Sequence, residues 1–285
     1  MTTVELKKFA TEIRIETVKA IAHMGQGHMG GSLSIADCLA VLYSGEMRNI
    51  DPKNPQNPDR DLLVMAKGHC GPALFSALAL KGFFPLSELM TLCQGGSRLP
   101  SHCDRLRTPG IDASTGSLGQ GLSVANGYAY GAKLNKKDTR VYCIMGDGEI
   151  QEGQIWEAAI WANQYKLNNL IGIVDWNKKQ IDGPLEQYMD MIDIAKKFEA
   201  FGWYAITVKG DDVEALQAAF ENVRANQGDR PACIVLDTIK GGGVKYISDM
   251  YYNHCIPVSA DMESKCLEQL NETMAELTKE EQNNG

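Results

Sequence analysis

Apolar residues recur along this chain in two rhythms. Short runs at 62–66, 141–145, 170–174, 204–208 and 233–238 are dominated by Val, Ile, Leu, Met and Cys with little polar alternation. Such runs read as strands buried on both faces, the habit of a parallel sheet. Between them, apolar or small residues return every three or four positions. Leu6, Ala10, Ile13, Thr17 and Ile21 mark a helix over 3–24, and Trp156, Ala159, Ile160 and Ala162 mark another. Further helices are expected over 73–81, from 116–121 to about 134, over 192–201 and over 213–226. A helix capped by Ser32 or Ser34 should run to Tyr43, and Pro72 suits the first turn of the helix that follows it. This alternation predicts an α/β fold over residues 1–258, a doubly wound, mostly parallel sheet with helices on both faces. Residues 259–285 read as a polar C-terminal helix and tail, fraying from 280. There is no internal repeat.

Glycine and proline punctuate the pattern. Gly25-Gln26-Gly27-His28-Met29-Gly30-Gly31-Ser32 breaks the first helix with a loop whose backbone can approach a ligand. Pro52, Pro55 and Pro58 make 51–61 an exposed connection, and Lys67-Gly68-His69-Cys70-Gly71-Pro72 leaves the first strand. Residues 94–117 are loop-rich and include His102; a long irregular segment inside a compact domain is usually functional. Lys240-Gly241-Gly242-Gly243 reads equally well as an anion cradle or as a simple exit turn.

Charge narrows the partners. The chain of 285 residues carries a formal charge of -8, with an isoelectric point near 5.2 and no basic cluster. That argues against nucleic acid. An acidic chain that binds an anion must use local devices such as a metal, helix N-termini and histidines. The eight cysteines include no C-x-x-C pair and read as reduced thiols of a cytoplasmic protein. Glu5, Lys7, Lys8, Glu12 and Arg14 make the first helix unlike a signal peptide, and no apolar run is long enough for a membrane span.

The chemistry concentrates at 145–183. Gly146-Asp147-Gly148-Glu149 leaves one expected strand, and Asp175-Trp176-Asn177 leaves the next. Ligands bind outside the carboxyl ends of parallel strands. One carboxylate and one amide oxygen, with loop carbonyls beside them, are hard ligands of the kind Mg²⁺ or Ca²⁺ takes. Gly148 lets the backbone come close to a bulky anion. A metal-bridged diphosphate site follows. A dinucleotide fingerprint fails, because Gly146-Asp147-Gly148-Glu149-Ile150-Gln151 lacks the third glycine, and there is no G-x-x-x-x-G-K-[ST]. A loop histidine is more often a surface residue than a ligand. Four of the five histidines, His28, His69, His102 and His254, nevertheless stand in loops near expected carboxyl ends, where they could bind phosphate or sugar hydroxyls and shuttle protons. None has the spacing zinc prefers.

G-D-G followed some thirty positions later by D-x-N-x-x-x-I-D-G is similar to the thiamine diphosphate motif, in the form that transketolases carry. The resemblance extends from Gly27-His28 to His254. It takes in Asp51-Pro52-Lys53-Asn54-Pro55, Asp59-Arg60-Asp61, Gly68-His69 and Thr115-Gly116-Ser117-Leu118-Gly119-Gln120-Gly121. It implies thiamine diphosphate and Mg²⁺ (or Ca²⁺) as cofactors. Asp147, Asn177 and the Lys179 carbonyl would be the metal ligands. His69, Gly116, Ser117, Leu118, Gly148, Glu149, Glu152 and Asn177 would contact or border the cofactor. Gly148 would do so through its N–H, and Glu152 corresponds to a glutamate between the two halves of the family's active site. His28, His102 and His254 would act on the sugar. Ser117 stands where transketolases usually have proline. Near the end, Tyr251 and His254 occupy the places of two family histidines, with Lys245 close by.

The implied reaction moves a two-carbon ketol unit from a ketose, phosphorylated or similarly anionic, to an aldose. The family's pyrimidine-binding and C-terminal domains lie beyond the matching region. The chain therefore resembles the N-terminal subunit of a split transketolase, working with a C-terminal transketolase subunit in an α2β2 heterotetramer. Alternatives are a subunit of another thiamine diphosphate enzyme, 1-deoxyxylulose-phosphate synthase-like or ketoacid dehydrogenase-like, or a non-catalytic partner-binding subunit.

Overall fold

The computed structural model describes residues 1–284. Its strands are β1 (Gln26–Gly27), β2 (Leu62–Met65), β3 (Val141–Gly146), β4 (Leu170–Trp176), β5 (Tyr204–Lys209), β6 (Ala232–Asp237) and β7 (Ile256–Pro257). β2 to β6 form one wholly parallel sheet in the order β2-β3-β4-β6-β5. These are the five expected buried runs, each within two residues of its expected ends. The fold is α/β with helices on both faces.

The two faces follow from strand alternation. Tyr142 and Ile144 of β3 join Ile171, Ile173, Ile234 and Leu236 in a core shared with the helices Thr3–Met24, Gly71–Leu80 and Val213–Asn226. Val141, Cys143 and Met145 point the other way. They pack with Val174, Val235 and Trp203 under the helices Gln120–Leu134, Gly153–Gln164 and Ile194–Ala200. Pairing of Gly146 with Asp175, and of Asp175 with Leu236, brings the carboxyl ends of β3, β4 and β6 level. Every loop with candidate chemistry leaves from that edge or reaches it.

Three expectations need adjusting. The helix expected from Ser32 or Ser34 to Tyr43 is broken into Met29–Leu33, Ala36–Val41 and a wide turn over Leu42–Glu46. Neither serine caps it. Ser32 Oγ donates to the His28 carbonyl, and Ser34 Oγ is directed to Asp175. The helix can begin at Met29 because Gly30 lies flat on the 253 loop, where a Cβ would stand 2.4 Å from the Asn253 carbonyl oxygen. Short elements unforeseen from periodicity also appear: β1 pairs antiparallel with β7, and Leu86–Thr91 forms a 3-10 turn.

The C-terminal tail differs most. Ala260–Asn284 is one helix lying on Thr3–Met24; Cys266, Leu270 and Leu277 are buried, and Lys8 pairs with Glu281 at 2.8 Å. Helical order continues through the stretch expected to fray, up to Asn284; Gly285 lies outside the described residues. A buried stripe holds the helix even though most of its surface is polar. Leu270→Ala should therefore lower unfolding free energy by about 2–5 kcal/mol, the cost of emptying a well-packed leucine site. Urea unfolding measures this, and a change within about 0.5 kcal/mol, typical of a surface position, would mean that the tail does not dock.

Candidate active site

The β3 exit is shaped by its acids. Asp147 is 2% exposed. Its Oδ1 accepts the Gly148 N–H at 2.8 Å, and its Oδ2 accepts the Lys178 N–H at 2.7 Å across the gap to the β4 exit. Lys178 reaches back because it adopts φ 67°, a left-handed turn directly after Asn177. Burial pushes the Asp147 carboxyl up to about 7, with Asp175 adding to the rise and Lys240 opposing it. A cation beside it would favour the ionised form. Glu149 braces the same turn: its two oxygens accept the N–H groups of Gly119 and Gly146 at 3.0 and 3.1 Å. This pins the start of the helix Gln120–Leu134 to the β3 exit.

At the β4 exit, Asn177 Nδ2 donates to Asp175 Oδ2 at 2.8 Å, while its Oδ1 accepts the Lys179 N–H at 3.2 Å. Asp175 is fully buried. It also receives Ser34 Oγ at 2.7 Å, Lys67 Nζ at 2.6 Å and Thr238 Oγ1 at 2.5 Å. Burial opposes charge on both members of the pair, yet the attraction wins: Asp175 stays below the usual carboxylate range and Lys67 above the usual amine range. The Lys179 carbonyl accepts Lys240 Nζ at 2.9 Å.

Four histidines converge on these loops. The His28 ring centroid lies 5.2 Å from His69, 5.8 Å from His102 and 5.2 Å from His254; His69 and His254 are 4.8 Å apart. His23 is elsewhere, beside Gln94. Burial lowers His28 to about 4, helped by His102 and Lys240, and lowers His254 to about 3, helped by Lys240 and His28. His69 is depressed further by burial and Lys67. A ring titrating near 6.5 is the expectation for an unperturbed histidine. Here the rings are neutral at pH 7, so each offers one acceptor and one donor nitrogen. For His254 the choice is fixed: Lys240 Nζ, which can only donate, meets its Nδ1 at 3.0 Å, leaving the proton on Nε2. Tyr251 and Lys245 turn away, to Gln187 and Asp249.

A cavity of about 190 Å³ lies among these groups, lined by Gly31, Lys67, His69, Leu118, Asp147, Gly148, Glu149, Asn177, Lys179, Ile181, Lys240 and His254, among others. Gly116 adopts φ 145°, and a Cβ there would meet the His102 ring at 3.1 Å. Ser117 and Glu152 are exposed, and neither lines the cavity. Among the described residues no three His, Cys, Asp or Glu side chains form a metal-binding group. A cation here would rest on one carboxylate, one amide oxygen and one carbonyl, the hard oxygen set that leaves places for phosphate oxygens. The residues fit a cation–diphosphate pair.

The chain matches the family model for "Transketolase, thiamine diphosphate binding domain" over residues 6–272. It belongs to the transketolase family. A 6-deoxy-6-sulfo-D-fructose transketolase subunit of Clostridium sp. (strain MSTE9) is 45% identical over 91% of this chain and 94% of that one. One of the subunits of the apulose-4-phosphate transketolase of Phocaeicola vulgatus is 38% identical, covering 99% and 98%. Against the single-chain transketolases the match is partial. Human transketolase is 38% identical over 93% of this chain and 42% of its own length. The crystal structure of the Campylobacter jejuni enzyme superposes with a TM-score of 0.87 at 29% identity, over 97% of this chain and 46% of that one.

Within this transketolase domain, sequence reasoning passed over Asp175, Lys67, Ser34 and Thr238, and left Lys240 undecided. One signal was available: a lysine at the end of a fully apolar run is heading for a buried place, where its charge needs a partner.

The neutral histidines carry a pH signature. An unfolded histidine binds a proton near 6.5, whereas folded His28 does not until about 4. Between those values the unfolded state holds more protons, so His28 makes stability fall as pH drops. The raised carboxyl of Asp147 acts with the opposite sign over a window reaching up to about 7, so the diagnostic is a difference between proteins. His28→Gln should gain stability relative to the parent between pH 7 and pH 5 in urea unfolding, and an unchanged difference would show that His28 titrates normally.

Proposed function

We propose that this chain is the diphosphate-binding subunit of a split transketolase, working with a separate subunit that carries the pyrimidine-binding and C-terminal domains. The carrying observation is the clasp of Asp147, Asn177 and the Lys179 carbonyl at the joined ends of β3 and β4, facing a cluster of neutral histidines. Support for the split arrangement comes from relatives of nearly equal length that are named as subunits. Exposed apolar side chains near the cavity add to it: Leu118 and Ile181 on its lining, and Tyr188 and Tyr251 flanking Gly183. An α2β2 assembly in the cytoplasm is the arrangement we favour. No helix among the described residues is long and apolar enough to cross a membrane.

Bound thiamine diphosphate supplies a nucleophilic carbon and an electron sink for cleaving and forming the ketose C–C bond. The residues of this chain bind, orient and move protons on one side of the cleft. Asp147, Asn177 and the Lys179 carbonyl hold Mg²⁺ or Ca²⁺, which offsets diphosphate charge in an acidic protein. Lys240, 2% exposed and held near 8 chiefly by burial, adds a positive charge within the same cavity. The Gly148 N–H, which goes to Asp147 Oδ1 in this structure, would turn to a diphosphate oxygen in this reading. His28 and His102 accept and return a sugar hydroxyl proton at a ring nitrogen; the Nδ1 of His102 meets Ser101 Oγ at 3.0 Å, leaving Nε2 for the sugar. His254 donates from Nε2. Glu152, exposed beside Gly119, lies against the partner subunit in this reading.

The substrate is a ketose with a phosphate or sulfonate at its far end, the two chemistries that the named relatives act on. A panel of phosphorylated and sulfonated ketoses, tested on the reconstituted pair, assigns it. The purified chain alone should transfer no ketol unit, and mixing it with its partner subunit should restore transfer. Asp147→Ala should abolish Mg²⁺-dependent thiamine diphosphate binding and the activity of the pair. Vigorous transfer by the lone chain would defeat the split-subunit reading, and full activity of Asp147→Ala would defeat the clasp.

A further inference from the structure

Asp175 lies outside the lining of the cavity beside the clasp, yet it decides how Asn177 presents itself. A side-chain amide has two ends of nearly equal size and opposite polarity, and its hydrogen-bond network selects between them. For Asn177 the selection is strong. Nδ2 meets Asp175 Oδ2 at 2.8 Å, and Oδ1 meets the Lys179 N–H at 3.2 Å. Turning the amide over would set two oxygens against each other in a dry site and would oppose two N–H groups. Asp175 cannot move aside to relieve this. Three donors from three other segments hold it: Ser34 Oγ, Lys67 Nζ and Thr238 Oγ1.

We propose that Asp175 is a positioning residue that fixes the amide orientation of Asn177 and makes an amide, rather than a carboxylate, the workable cation ligand at that position. The proposal rests on the clasp reading above. A counterintuitive consequence follows. A carboxylate in place of a neutral amide ordinarily strengthens the binding of a hard cation, because it adds negative charge to the ligand set. In this site it would stand at hydrogen-bond distance from a second, fully buried carboxylate. Like charges so placed repel, and the hydrogen bond that Nδ2 gives Asp175 is lost, so the new carboxylate is turned away from the position that serves the cation. Asn177→Asp should therefore weaken the site. Adding Asp175→Asn restores an N–H donor next to the ligand carboxylate and returns the net charge of the cluster to its natural value.

The test is calorimetric titration of Mg²⁺ into the full chain in the presence of thiamine diphosphate, with metal-free thermal unfolding of each variant alongside. Asn177→Asp should bind Mg²⁺ about ten- to a hundredfold more weakly, the range for disturbed support of a metal ligand, and Asp175→Asn/Asn177→Asp should recover most of that loss. Ser34→Ala, which removes one donor to Asp175 without touching Asn177, should lower the unfolding temperature and leave Mg²⁺ affinity within a few-fold of the natural chain. The recovery of Mg²⁺ binding in the double variant is the result a merely structural Asp175 would not produce. Mg²⁺ binding by Asn177→Asp that equals or exceeds the natural chain's overturns the inference and leaves the clasp standing. Failure of the natural chain to bind thiamine diphosphate in a Mg²⁺-dependent way overturns the clasp, and the inference with it. If Asn177→Asp alone does not fold, the double variant decides: folding with Mg²⁺ binding supports the proposal, and folding without it refutes the proposal.

Discussion

A lysine and an aspartate meet in the interior of this domain, Lys67 at 1% exposure and Asp175 at 0%, and the cleft is built outward from them. Lys67 follows β2, Asp175 sits near the end of β4, Thr238 follows β6, and Ser34 belongs to the glycine-rich segment before the sheet. Their mutual bonds hold four separate pieces of chain to one point at the carboxyl edge of the sheet. Lys67 Nζ also reaches the Gly31 carbonyl at 2.9 Å, which seats the loop bearing His28. Desolvating two charges is expensive, and a buried ion pair is seldom a net source of stability compared with an apolar pair. What it supplies here is position. Removal of either partner leaves the other unpaired in a dry interior, so all four segments depend on both.

The same charges set the character of the cavity. The protein as a whole is acidic, yet Lys67, Lys240, His69 and His254 line this cavity, with the rings of His28 and His102 next to them. Burial and the two ammonium groups drive the histidine protons off, so the positive charge is carried by the lysines alone. Lys240 spends its charge on the Lys179 carbonyl and on His254. An incoming anion would find a preformed donor there, and its own charge would push the histidine pKa values back up. Ligand and proton affinity are thereby linked at these rings.

One side of this cleft is finished and the other is bare. The β3 and β4 exits are braced by Glu149, by Asp147 and by the turn at Lys178. The rim near Leu118, Ile181, Tyr188 and Tyr251 exposes large apolar groups that a cleft facing only water would not favour. Exposed apolar residues clustered next to a functional site mark a contact surface more often than chance. Covering them would also dry the histidines further and strengthen every electrostatic interaction in the cavity. Catalytic competence and assembly would then be coupled through desolvation, with no need for a moving lid.

The strands were legible because a sheet buried on both faces writes itself as uninterrupted apolar runs, and the loops bearing Asp147 and Asn177 because each leaves the end of such a run. The histidine cluster was legible only as a coincidence of loops; that the four rings meet is a consequence of strand order, which spacing does not encode. Asp175 was less visible still. It lies inside the motif, yet its partners Ser34, Lys67 and Thr238 are 141, 108 and 63 residues away, and no periodicity links such positions. The C-terminal helix was expected, but its docking and its order beyond 280 were not. Its composition is polar enough to suggest a solvated tail, and the few residues that dock it, Cys266, Leu270 and Leu277, amount to a narrow stripe. A stripe that narrow stabilises a helix only if a complementary face waits for it. The long first helix provides that face by being apolar over more of its circumference than one core contact requires: Ile13, Val18 and Ile21 are fully buried, and Val4, Leu6 and Phe9 nearly so. Excess apolar surface on one element is thus the sequence-level sign that a second, weaker element will cover it.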